Sequence, residues 1–127
     1  GESALRRCAL GYRAKGLAAT AALVADGCAD LEGWAGLPTP DLRMRLMALP
    51  GVGPKIADCV LLFAYGRLEA FPVDVWISRA VRDGYFQGEE MSERAIIAFA
   101  AKRFGAYAGY AQQYLFHHAR LNGSTHP

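Results

Sequence analysis

No stretch of this sequence alternates apolar and polar residues for long enough to make a half-buried strand, while alanine is abundant and β-branched residues are sparse. Helix is the regular structure left to it. We therefore expect an all-α fold, a bundle of six or seven short helices forming a single helical domain over residues 1–127. With 127 residues, 53% of them hydrophobic, the chain has enough apolar surface to bury a core. The longest apolar runs, such as Val60-Leu61-Leu62-Phe63-Ala64-Tyr65, fall far short of the ~20 residues that a bilayer requires. No charged-then-apolar leader opens the chain either, so neither a membrane partner nor export is expected. Three cysteines (Cys8, Cys28 and Cys59) cannot pair completely, and none lies near another Cys or His at metal-site spacing. That favours a reducing compartment and excludes an iron–sulfur cluster from the expectations.

Proline, glycine and capping residues divide the chain. A first helix is predicted over about Ser3–Ala9, with a break near Gly11 and a second helix over about Arg13–Ala25; Gly11 and Gly16 both weaken continuous helix here. Residues 26–38 read as a loop with a short turn at Trp34. Thr39 is a good N-cap and Pro40 suits the first helical position, giving a helix from Pro40 to Ala48 that stops at Leu49-Pro50-Gly51. Pro54 opens the next helix, with Ala57, Leu61 and Ala64 as its buried stripe before Gly66. After a short extended Phe71-Pro72-Val73, Asp74 caps a helix carrying Ile77, Val81 and Tyr85 on one side. Ser92 caps Glu93–Phe104, Gly105 ends it, and a last helix spans about Tyr107–Leu121.

The most specific string is Leu49-Pro50-Gly51-Val52-Gly53-Pro54-Lys55, set between two helices over about residues 40–65. Glycines two apart allow positive φ and leave no Cβ in the way, so backbone N–H groups at the following helix start can meet a phosphate oxygen directly. The string resembles the hairpin of helix-hairpin-helix DNA-binding proteins, which grips the backbone and reads no sequence. In such proteins the hairpin carbonyls also hold a monovalent cation, which implies Met47, Leu49 and Val52 here.

Lys55 falls in the first turn after the hairpin, at the positive end of the helix dipole, and a lysine amine in its neutral form can attack carbon. Asp74 follows nineteen residues later, at a helix start behind an apolar extended stretch. Separately, they read as a phosphate-binding lysine and an ordinary N-cap. Together they supply a nucleophile and an anion able to stabilise a positively charged sugar, the parts needed to cut a glycosidic bond.

Leu49–Cys59 followed by Phe71–Ile77 looks like the signature of the helix-hairpin-helix-GPD DNA glycosylase superfamily, and more narrowly of its 8-oxoguanine glycosylases. The narrowing rests on Gly51-Val52-Gly53-Pro54-Lys55-Ile56-Ala57-Asp58-Cys59, on Leu10-Gly11-Tyr12-Arg13-Ala14-Lys15, and on Ala108-Gly109-Tyr110-Ala111-Gln112-Gln113-Tyr114-Leu115-Phe116. The resemblance implies a base-excision repair enzyme with abasic-site lyase activity, acting without a required cofactor on double-stranded DNA that contains a damaged base. It implies Lys55 as Schiff-base nucleophile, Asp74 as catalytic carboxylate, Cys59 and Phe116 as the faces holding the flipped base, and Gln112 at the base edge. It further implies Tyr12 as a wedge in the duplex, Arg13 on the orphaned cytosine, and Gly51, Val52 and Gly53 on the DNA backbone.

Trp76 and Ala119 stand where the eukaryotic members carry a histidine and an aspartate, which looks like the bacterial branch and points to the cytoplasm, at the nucleoid. The family builds its cleft between two helical lobes, and Gly1 aligns about halfway along its chain. We therefore expect the C-terminal part of a longer enzyme, with the missing N-terminal lobe as a further partner. A net charge of +2 adds little, although Arg6, Arg7, Arg13 and Lys15 oppose only Glu2 within residues 1–25. The alternative from another class is a non-catalytic helix-hairpin-helix module, which gives Asp74 no chemical task.

Overall fold

The computed structural model describes residues 1–123 and is all-helical among them: α1 (Glu2–Arg7), α2 (Arg13–Ala25), α3 (Thr39–Met47), α4 (Pro54–Phe63), α5 (Val75–Tyr85), α6 (Glu93–Phe104) and α7 (Ala108–Gly123). Short 3₁₀ turns at Gly33–Gly36 and Gly105–Tyr107 complete the regular structure of the described residues. None of these helices is long and apolar enough to cross a membrane. Two compact units are distinguished, Gly1–Ala57 and a second that begins at Asp58.

In the first unit, α1 packs on α2, and Ala14, Ala29, Leu42, Leu46 and Ala57 are buried. Gly27, at φ +77°, ends α2: the Cys28 N–H returns to the Leu23 carbonyl and the Gly27 N–H to that of Val24, the double closure that glycine at this position permits. α1 ends at Arg7 rather than Ala9, because the Cys8 and Ala9 N–H groups close back onto Leu5 and Arg6 and Ala9 turns to φ +61°. α3 starts one residue early. Pro38, extended at φ −57° and ψ 149°, is the N-cap, its carbonyl accepting the Leu42 N–H; Thr39 is already helical and does not cap.

In the second unit, a core of Phe71, Val73, Ile77, Val81, Ile96, Ala100 and Ala108 is lined by half-buried aromatic residues. α5 and α6 both pack on α7. Asp74 and Ser92 cap as expected, their side chains accepting from the Ile77 N–H (2.8 Å) and the Ala95 N–H (3.1 Å). Gly105 ends α6 at φ +61°. The stripe read for α4 holds at two of its three positions: Ala57 and Leu61 are fully buried, whereas Ala64 is exposed. The helix stops at Phe63, where Gly66 at φ +63° lets the Arg67 N–H close on the Leu61 carbonyl, and Asp58 and Leu62 complete the buried face instead. Tyr85 is 41% exposed, but its ring packs 5.0 Å from Phe99 and 6.1 Å from Phe104.

Candidate functional site

The hairpin belongs to the first unit. Its turn is closed by the Val52 N–H donating to the Leu49 carbonyl at 3.1 Å, with Pro50 and Gly51 at the two central positions and Gly51 at φ +81°. That is the type II arrangement, in which proline presets the first corner and glycine alone enters the second without strain. Gly53 does not share this role. Contrary to the paired-glycine expectation, its φ is not positive, and a Cβ built on it would meet no protein atom within 4 Å. Its carbonyl accepts the Ala57 N–H at 2.9 Å and so begins α4. The first-turn N–H groups of an α-helix have no intrahelical acceptor, which leaves donors at Lys55 and Ile56 pointing out of the helix start beside a bare Gly53. The open space at Gly53 suits an incoming anion. The Lys55 side chain is exposed in this same turn.

Gly16, read from the sequence as a helix weakener, lies inside α2 and has a different task. A Cβ there would stand 3.1 Å from the Pro50 carbonyl oxygen and 3.5 Å from Gly51 Cα. The Thr20 hydroxyl, one turn on, donates to the same Pro50 carbonyl at 3.4 Å. α2 thus seats the hairpin backbone directly. A glycine retained in a helix interior, where alanine would be about 1 kcal/mol better, was the signal for such a close approach.

Gly11, at φ +57°, turns the chain into α2 and leaves Tyr12 79% exposed. The Arg13 guanidinium lies 4.8 Å from the centre of the Tyr12 ring, so the pair projects as one aromatic-cationic unit. Arg6 is tied to Glu2 at 2.6 Å.

The second unit carries the remaining candidates. Asp74 is half-buried at the N-terminus of α5; Oδ1 holds the Ile77 N–H, and no protein partner is bonded to Oδ2 among the described residues. The N-cap role is therefore real and leaves one carboxylate oxygen over. Cys59 is half-buried in α4, and Phe116 is half-buried on α7, one turn beyond Gln112. Gln112 is 5% exposed. Its Nε2 donates to the Pro72 carbonyl at 3.0 Å, and its Oε1 accepts from Gln113 Nε2 at 2.6 Å. The structure therefore joins Gln112 to the segment that leads into Asp74. Gly109, part of the quoted motif but given no role from sequence, packs α7 onto that segment. Its N–H donates to the Leu68 carbonyl at 2.7 Å, and a Cβ on it would overlap Leu62.

Trp76 lies two residues after Asp74, with the guanidinium groups of Arg79 and Arg120 at 5.8 and 5.5 Å from its ring. It lines a cleft of about 990 Å³ together with Asp83, Leu115 and His118.

No family model matches the chain. It is 42% identical over 119 residues to a probable N-glycosylase/DNA lyase of Methanothermobacter thermautotrophicus, a match that takes in 94% of this chain and 38% of that protein. Among solved structures, MBOgg1 in complex with a low-affinity DNA ligand superposes with a TM-score of 0.92 at 39% identity, over 97% of this chain and 42% of the other. The 8-oxoguanine glycosylase/lyase of Clostridium acetobutylicum, in complex with double-stranded DNA containing cytosine opposite 8-oxoguanine, does so with a TM-score of 0.91 at 36% identity, over 97% and 42%. The chain thus spans about two-fifths of the length of the proteins it matches. These relatives and structural neighbours include a probable N-glycosylase/DNA lyase and an 8-oxoguanine glycosylase/lyase. A 3-methyladenine DNA glycosylase of Archaeoglobus fulgidus also superposes, with a TM-score of 0.75 at 31% identity, over 95% of this chain and 40% of the other, and the helical fold is common to them.

Proposed function

We propose that this chain is the C-terminal part of the catalytic region of a helix-hairpin-helix-GPD 8-oxoguanine DNA glycosylase of the bacterial kind, which removes the oxidised purine from duplex DNA and then cleaves the abasic site. The observation that carries this reading is the exposed Lys55 amine in the first turn of α4, beside helix-start N–H donors and the open Gly53, in a chain homologous over nearly its whole length to glycosylase/lyases.

The hairpin N–H groups hold a backbone phosphate, and Gly51, Val52 and Gly53 let it approach. Tyr12 enters the duplex as the damaged nucleotide turns out, and Arg13 meets the cytosine left behind. Cys59 and Phe116 hold the faces of the extruded base, and Gln112 lies at its edge. The Lys55 amine, as its neutral form, attacks C1′ of the deoxyribose while the glycosidic bond breaks and its electron pair leaves with the base. Positive charge grows on the sugar in that step, and the Asp74 carboxylate stabilises it. The C1′–O4′ bond of the product then opens, O4′ taking the electron pair and a proton to leave as a hydroxyl, and the iminium so formed at C1′ loses a proton from C2′ and expels the 3′-phosphate, nicking the strand.

No cofactor enters this scheme, and no iron–sulfur cluster is needed. A monovalent cation would be held by the main-chain carbonyls of Met47, Leu49 and Val52. The Leu49 carbonyl, which already accepts the Val52 N–H, has a second lone pair for it. The workplace of such an enzyme is the DNA itself, in the bacterial nucleoid. The experiment is borohydride reduction of the full-length enzyme on duplex DNA containing 8-oxoguanine. A covalent adduct that Lys55→Ala abolishes is expected. Base release by the wild type without an adduct, or an adduct with Lys55→Ala, overturns the assignment, and a module that only grips DNA forms none.

A further inference from the structure

The Gln112 amide is buried, yet the hydrogen bonds it makes are to its own protein, and the more informative of them reaches back forty residues to the Pro72 carbonyl. Pro72 is fully buried between Phe71 (3% exposed) and Val73 (4%), and its carbonyl needs a donor there. Gln112 Nε2 is that donor. Two residues on, the chain ends its extended run at Asp74, whose φ of −115° and ψ of −174° set the carboxylate at the α5 N-terminus.

α7 grips residues 68–72, a turn and the start of the extended run after it, at two points. The Gly109 N–H holds the Leu68 carbonyl at 2.7 Å, and Gln112, one turn later, holds Pro72 at 3.0 Å. Leu68 O lies 2.8 Å and Ala70 O 3.1 Å from where a Cβ on Gly109 would be, so a glycine is what lets α7 come this close to the segment. The Gln112 amide is itself oriented, because Gln113 Nε2 donates to its Oε1. A side chain fixed at both ends is a strut.

We infer that Gln112 is a positioning residue for Asp74: its amide sets the backbone from which the carboxylate is presented to the sugar, in addition to any contact with the base edge. This rests on the glycosylase/lyase reading above, and it makes a separable demand. A residue that only reads the base is dispensable once the base is gone. A residue that positions Asp74 is still needed on an abasic site, where Lys55 Nζ adds to the C1′ aldehyde and the carbinolamine loses water to give an iminium cation that the carboxylate stabilises.

The test uses full-length enzyme and duplex DNA carrying a preformed abasic site, with borohydride donating hydride to the iminium to leave a stable secondary amine. Gln112→Met keeps the length and removes the donor, and should slow single-turnover trapping about 3- to 10-fold, the worth of one neutral hydrogen bond. The loss should shrink when Asp74→Asn is already present, because residues acting as one unit are not additive. Gln112→Glu supplies a donor only when its carboxyl is protonated, so its trapping rate relative to wild type should rise as pH falls. Should Gln112→Met not purify as a folded protein, that pH profile decides the matter.

Trapping by Gln112→Met at the wild-type rate on abasic DNA, with slowed release of 8-oxoguanine, overturns the inference and leaves Gln112 as a base reader. An equal loss in both Asp74 backgrounds, or a flat Gln112→Glu ratio, overturns it too. A wild type that traps no abasic DNA sinks the lyase reading on which all of this stands, which is a different result from either.

Discussion

Gly16 of α2 and Gly51 of the hairpin face each other with no side chain between them: a Cβ on Gly51 would lie 3.7 Å from Gly16 Cα, and one on Gly16 would lie 3.5 Å from Gly51 Cα. The helix therefore serves as a seat for the turn, and the Thr20 hydroxyl on the Pro50 carbonyl locks it. A loop whose N–H groups are already held in place would bind an anion more tightly, since ordering them on binding subtracts from affinity.

The two hairpin glycines should fail in different ways. Gly51→Ala places a Cβ at φ +81° and should cost about 1–2 kcal/mol of stability, read as a lowered midpoint in urea. Gly53→Ala meets open space at an ordinary φ, so its stability loss should not exceed about 1 kcal/mol. Its Cβ would stand where a phosphate comes in, and affinity for undamaged duplex should fall roughly 10- to 100-fold, the worth of charge-assisted bonds. Gel-shift titration at one salt concentration checks this. Equal affinity for wild type and Gly53→Ala would remove the hairpin from the DNA interface.

Asp74 combines a cap with a charge, and two substitutions separate them. Asn caps as well as Asp, so Asp74→Asn should unfold within a few tenths of a kcal/mol of wild type while single-turnover excision of 8-oxoguanine falls far more than DNA affinity. Asp74→Ala also loses the bond to the Ile77 N–H and should cost about 1 kcal/mol in addition. Parallel loss of stability and activity in Asp74→Asn would reduce the residue to its capping role.

Gly109→Ala should destabilise by about 1–3 kcal/mol, because the Cβ overlaps Leu62 and stands 2.8 Å from the Leu68 carbonyl, and backbone has to move to admit it. Thermal unfolding of the purified variant measures this. An unchanged melting temperature would mean that α7 is not held as closely as the geometry has it.

Tyr12 is 79% exposed, so Tyr12→Ala should leave stability within about 0.5 kcal/mol of wild type. If the ring wedges the duplex open, excision of 8-oxoguanine from a fully paired duplex should drop more than from DNA in which the lesion lies in an unpaired bubble. Equal losses on the two substrates would assign Tyr12 to general grip.

Much of this chain could be read along its length. The Asp74 and Ser92 caps, the Gly105 stop and the proline openings of α3 and α4 are interactions of residues within about four positions of each other, so neighbouring letters are enough to specify them. Lys55 and Asp74 were visible for a similar reason, since each is tied to a helix start that local sequence announces. Where local cues were balanced, boundaries slipped by a residue or two, as at Thr39 and Ala64.

Other features depend on segments distant in sequence. That Gly16 is a seat and not a flaw in α2 depends on Pro50, and the partner of the Gln112 amide lies forty residues back at Pro72. That Gly51 takes positive φ and Gly53 does not follows from how the turn closes between two helices, although both glycines permit either. Short-range hydrogen bonds name helix ends because their geometry repeats in every protein. Which backbone atoms of distant segments come within 3 Å is set by side-chain volumes across a packed interior, where one methyl group decides whether two segments meet.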